Sequence, residues 1–208
     1  MDKRCICNVY HLIFNASEDL VRLFRNDEDK KKFLVLLNLL LFRYCASLYA
    51  FVLMDTHVHL LVMCGSVEKF CLELNLSYTG YYCEKYQHKG AVIAWPCRII
   101  PKPLIDWQID ALYYILNNPV IAGICKTPGG YKFSSFKFYF GKVNPLKHLI
   151  SVDTSLVSHT VANADELRRI LRKKLEYQKI NRREAKKVTR MQHEAEMSLN
   201  LPPPGHDS

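Results

Sequence analysis

At 208 residues, 49% of them hydrophobic, the chain has material for one good core and a smaller appendage. Its formal charge is +9, and eleven Lys and Arg against four Asp and Glu between Asp165 and Arg190 put +7 of that in one segment. A basic segment of this kind points to nucleic acid and away from a small acidic substrate.

The chain opens on Cys5 and Cys7, the first of eight cysteines, none of them in a Cys-x-x-Cys pair, which argues against a zinc ribbon. With no secretory segment before them they read as reduced thiols of a cytoplasmic protein. Val9 to Phe14 is expected as a first strand. Asn26 or Asp27 then caps a helix with an acidic first turn, and Phe33, Leu37, Leu40, Leu41 and Tyr44 recur at helical spacing. The apolar run 33–42 is about half of the ~20 residues a bilayer span needs, so a membrane partner is not expected. A second strand at 48–54, the tight link Asp55-Thr56 and a third strand at 57–63 follow. This β-α-β-β order with short links predicts an α+β fold, an antiparallel sheet with helices packed on one face. Residues 66–87 read as a second helix, weakened at Gly80, and 91–100 as a strand that Pro96 confines to an edge or a bulge.

In the third strand His57 and His59 share one face, while Val58, Leu60 and Val62 take the other. Two neutral imidazoles side by side are half of a metal site, or a ligand-free pair on an edge strand. The other half comes from a helix expected at 104–118. Its apolar stripe is Ile105, Ile109, Leu112 and Leu116; Tyr113 lies near the edge of that stripe. Tyr114 and Asn118 fall nearly opposite, one turn apart, which leaves Tyr114 free to face a substrate. Pro119 disfavours helical geometry at Asn118, and an asparagine at a helix end commonly caps it.

The segment 131–140 alternates aromatic rings with Lys132 and Lys137, a pattern that serves base stacking and phosphate contact or closes a core equally well. Beyond Gly141 the composition changes, so residues 1–141 are expected as the main domain and 142–208 as a basic helical extension. Helices at 165–178 and 182–196 form either a helix-turn-helix on duplex DNA or a solvated charged hairpin. Arg98, Lys132, Lys137, Arg168, Arg169, Arg172, Lys173, Arg182, Arg183, Lys186 and Lys187 are the candidate DNA contacts. Residues 201–208, rich in proline, are expected as a disordered tail.

Taken together, Tyr10-His11, the run from Leu23 to Asp29, the run from Val52 to Val62, Tyr114-Ile115-Leu116-Asn117-Asn118-Pro119-Val120-Ile121-Ala122-Gly123, Tyr131 to Ser135 and Tyr139-Phe140-Gly141 resemble the REP-associated tyrosine transposases. These are single-tyrosine HUH transposases of the IS-two-hundred-like superfamily. The resemblance spans roughly residues 9–141. It implies the ferredoxin-like HUH palm, metal ligands at His57, His59 and Asn118, and a nucleophile at Tyr114. Asp55-Thr56 stand where the family usually has Pro-Asn, Leu116 replaces a common histidine, and the stretch 95–114 is short with two extra prolines.

What the resemblance implies is metal-assisted cleavage and rejoining of single-stranded DNA near a hairpin, with Mg²⁺ or Mn²⁺ as cofactor. Tyr114 becomes linked to a 5′-phosphate, and a homodimer is possible. Two other readings stay open: a non-cleaving hairpin binder that keeps the fold, and a hydrolase that uses His57 and His59 with water as nucleophile.

Overall fold

The computed structural model describes residues 8–141, 143–158, 169, 170, 172–174, 176 and 180. Four antiparallel strands form one sheet in the order β2-β3-β1-β4: β1 is Asn8–Asn15, β2 Ser47–Leu53, β3 His57–Cys64 and β4 Arg98–Pro101. β1 and β3 are central. β4 sits at an edge but is shorter than the strand expected at 91–100: it begins at Arg98, so Pro96 lies before the ladder and takes no part in it.

Alternation along the strands divides the sheet into two faces. Leu12, Phe14, Val58, Leu60 and Val62 point into a core filled by Phe33, Leu34 and Leu37 of α1 (Asp27–Arg43) and by Phe70, Leu74 and Tyr78 of α2 (Val67–Tyr86). The opposite face carries Val9, Ala50, Val52 and Leu61, covered by α3 (Ile105–Ile121) through Ala111, Leu112, Ile115 and Leu116. The α+β antiparallel architecture is as the sequence indicates. α1 and α2 share one face, but α3 takes the other, because its apolar residues match the apolar half of that second face.

The sequence fixes α1 at its start. Asn26 accepts from the Asp29 N–H, and the Asp29 carboxylate accepts from the Asn26 N–H in return, a complete capping box. α2 ends at Gln87 in the left-handed region, φ 51°.

Where α3 differs from expectation, packing is the reason. Pro119 does not end it; the helix runs on to Ile121. Asn117, Asn118, Pro119 and Val120 are all buried, and that burial outweighs the ~3 kcal/mol a proline costs inside a helix. Asn118 is therefore inside the helix, not its cap. Ile105, expected in the stripe, is 48% exposed because the first turn of α3 projects past the core.

The aromatic segment after α3 closes the cores. A 3-10 turn at Pro128–Gly130 leads to Phe133, which is buried, and to α4 (Phe136–Phe140). The Tyr131 and Tyr139 hydroxyls donate to the Leu53 and Tyr49 carbonyls of β2 at 2.6 and 2.5 Å. Past Gly141, Leu146 and Ile150 enter the first core, and Leu156 and Val157 of α5 (Ser155–Ser158) the second. The helices expected at 165–178 and 182–196 and the tail at 201–208 lie largely or wholly outside the described residues. None of the described cysteines is in a disulfide, and among the described residues no helix is long and apolar enough to cross a membrane.

Candidate functional site

β3 places His57 and His59 two residues apart on the face that α3 covers, with ring centroids 4.9 Å apart. α3 brings Tyr114 and Asn118 to them. The Tyr114 ring lies edge-on to His59, centroids 5.4 Å apart, and Asn118 Nδ2 is 3.3 Å from His59 Nε2. Asn118 also hydrogen-bonds His57. All four residues singled out in the sequence thus meet within one chain. Tyr114 is 38% exposed while its neighbour Tyr113 is buried, so the open phenol is the one expected from the helix geometry.

A fifth member of the site, His11 of β1, is paired with Leu61 and Ile100 in the sheet and is buried on the same face. Its Nε2 is 2.9 Å from His59 Nδ1, and its ring meets Tyr114 at 5.9 Å. The residue pairing that follows from two antiparallel strands would have found it. Ile13 stands opposite His59, so His11, two residues along, looks the same way. A histidine between the apolar Val9 and Ile13 on a core face was the available signal.

Burial governs the protonation of this cluster. Desolvation, then the charges of Lys102 and Arg98, push His11 down to about 4. Desolvation, then His11, His57 and Arg98, push His59 down to about 3. At His57 desolvation outweighs the Asn118 hydrogen bond and also lowers the value. The three rings are neutral near pH 7, the state in which an imidazole donates a lone pair.

This donor set suits a divalent cation. Two neutral imidazoles and one amide converge, and a half-turn of the Asn118 amide exchanges Nδ2 for the oxygen Oδ1 without moving the backbone. Among the described residues no group of three or more His, Cys, Asp and Glu side chains is placed to hold a metal ion; a third donor beside His57 and His59 would be the Asn118 amide.

Beside Tyr114 a cleft of about 470 Å³ is lined by His11, Arg98, Lys102, Asp110 and Lys174 among others. Arg98 is where a DNA contact was expected; Lys102 and Lys174 were not on that list. Lys174 ion-pairs with Asp110 of α3. The remaining basic candidates are dispersed. Lys132 pairs with Asp27 at the start of α1 at 2.6 Å, and Lys137 is half-buried in α4. Arg169, Arg172 and Lys173 are exposed, whereas Arg168, Arg182, Arg183, Lys186 and Lys187 lie outside the described residues.

Asp55, one of the departures noted in the sequence, has a structural task. Its carboxylate accepts from buried Lys30 at 2.7 Å, and its carbonyl from the Leu23 N–H at 2.7 Å, which anchors the turn ahead of His57.

No protein-family model matches the chain, and no curated protein does. Among solved structures the chain is similar to a REP-associated tyrosine transposase bound to a REP hairpin, with TM-score 0.54 and 14% identity over 71% of this chain and 87% of that one. At that identity the likeness is one of fold: the chain has the fold of a REP-associated tyrosine transposase.

Proposed function

We propose that the chain is a DNA strand transferase that cleaves and rejoins single-stranded DNA beside a hairpin, with Tyr114 as nucleophile. The observation that carries this is the placement of Tyr114, 5.4 Å ring to ring from His59, against the cluster His57, His59 and Asn118. The similar structure supports DNA as substrate, since that protein is bound to a hairpin.

In this reading His57, His59 and Asn118 hold Mg²⁺ or Mn²⁺. When bound, the cation supplies Lewis-acid polarisation of a phosphate oxygen and a template for the strand. The Tyr114 oxygen attacks the scissile phosphorus as its phenol gives up a proton; a P–O bond to tyrosine forms, the P–O3′ bond breaks, and the departing 3′-oxygen takes up a proton, so the step is proton-neutral. The phosphoester count is conserved, so attack by a 3′-hydroxyl on the 5′-phosphotyrosine link reverses the step and rejoins a strand. Arg98 and Lys102 face the cleft beside the phenol and meet the backbone phosphates on either side.

The test uses a hairpin-bearing single-stranded oligonucleotide with Mn²⁺ on a denaturing gel. A protein–DNA adduct is expected, absent from Tyr114→Phe. Retention of the hairpin without any broken strand would make the chain a binder. Cleavage that ignores Tyr114→Phe would make water the nucleophile.

A further inference from the structure

We infer that His11 is a positioning residue: its Nε2 accepts a hydrogen bond from His59 Nδ1–H, which fixes the His59 tautomer and turns the Nε2 lone pair toward Asn118 and the place of the cation. This rests on the metal reading above and adds to it a residue that neither ligates nor attacks.

A histidine that ligates through Nε2 carries no proton there, and the Asn118 amide as placed agrees with that. Asn118 Nδ2 is a donor with no lone pair to offer, so at 3.3 Å from His59 Nε2 it makes that nitrogen the acceptor. The single proton of neutral His59 is then on Nδ1. The partner of Nδ1 is His11 Nε2 at 2.9 Å, which must accept, and His11 carries its own proton on Nδ1. One tautomer of each ring satisfies the chain Asn118–His59–His11. The opposite tautomer of His59 would need the Asn118 amide turned by half a turn and would leave Nε2 no lone pair for a cation.

The bond is also held in place from outside. His11 sits on central strand β1, flanked by Leu61 and Ile100 in the ladder, and is buried. Its ring packs against His59 at 5.1 Å and against Tyr114 at 5.9 Å, so it touches both a proposed ligand and the nucleophile's ring. A partner on the second ring nitrogen raises the basicity of a ligating histidine and fixes its orientation; losing such a partner costs 10–100-fold in metal affinity.

The experiment compares wild type, His11→Gln and His11→Phe, each checked for folding by circular dichroism. Two readouts are taken: ¹⁵N imidazole shifts of His59 without metal, and binding of Mn²⁺ alone followed by electron paramagnetic resonance. Wild-type His59 is expected as the Nδ1–H form. His11→Gln, whose Oε1 can accept that proton, keeps the form and most of the affinity. His11→Phe populates both tautomers and binds Mn²⁺ roughly 10–100-fold more weakly. An Nε2–H signal for wild-type His59, or unchanged Mn²⁺ affinity in folded His11→Phe, would overturn the assignment. Should wild type bind no Mn²⁺, the metal reading falls while the tautomer signal still decides the role of His11.

Discussion

The side chains at the site are placed differently, and their proposed tasks can be separated. Tyr114 is half in solvent and touches His59 by its ring edge, whereas Asn118 is buried and reaches His59 by its amide. Tyr114→Phe should therefore leave folding and Mn²⁺ binding as in wild type while removing strand cleavage. Asn118→Ala should weaken Mn²⁺ by roughly tenfold or more, as calorimetry with the metal would show. The buried imidazoles give the metal-free protein a pH signature. His11 and His59 have folded values of about 4 and about 3 against 6.5 unfolded, so below pH 6.5 the unfolded chain binds more protons and stability falls as the solution is acidified. Urea midpoints should drop steadily from pH 6.5 to pH 4. The drop should shrink in His11→Phe, which has one buried imidazole fewer.

Among the elements, α1 and α2 are joined by an acid hub. Asp29 is fully buried and its carboxylate receives Tyr81, Lys85 and Tyr86 from α2, besides the Arg25 and Asn26 N–H groups. Burial would raise its pKa, but the bonds from Lys85, Tyr86, Arg25 and Tyr81 prevail and hold it below the ordinary carboxylate value. Asp29→Ala removes the hub and half of the capping box together. A loss of about 1–3 kcal/mol is expected from denaturant unfolding, the scale of hydrogen-bond donors left without their acceptor. That α1 starts at Asn26, that β3 puts both histidines on one face and that Tyr114, not Tyr113, is the open phenol all follow from local rules: a cap, a period of two and a period of 3.6; that α3 covers the histidine face does not. What escaped those rules depends on partners distant in sequence. α3 passes through Pro119 because the second core buries its last turns, and the rings at 131–140 serve that packing through bonds to β2. His11 gains its meaning from the β1–β3 register.

For the molecule as a whole, the two-faced sheet explains why a site can form. One face gives the chain its stability through α1 and α2, which frees the other to hold polar groups under α3. Any cation bound there holds β3 to α3 and favours the folded state. Mn²⁺ at about 100 times its dissociation constant should stabilise the wild type by about 2.7 kcal/mol, visible as a rise in Tm, and should do nothing for a folded His59→Ala chain. Because His57, His59, Tyr114 and Asn118 meet within one chain, mixing Tyr114→Phe with His59→Ala should restore no activity. The most direct trial is to trap the protein on a hairpin oligonucleotide, digest it and map the DNA-linked peptide by mass spectrometry. A 5′-phosphate on Tyr114 is the expected result; a link to any other residue, or a cut strand with no linked peptide, contradicts the account.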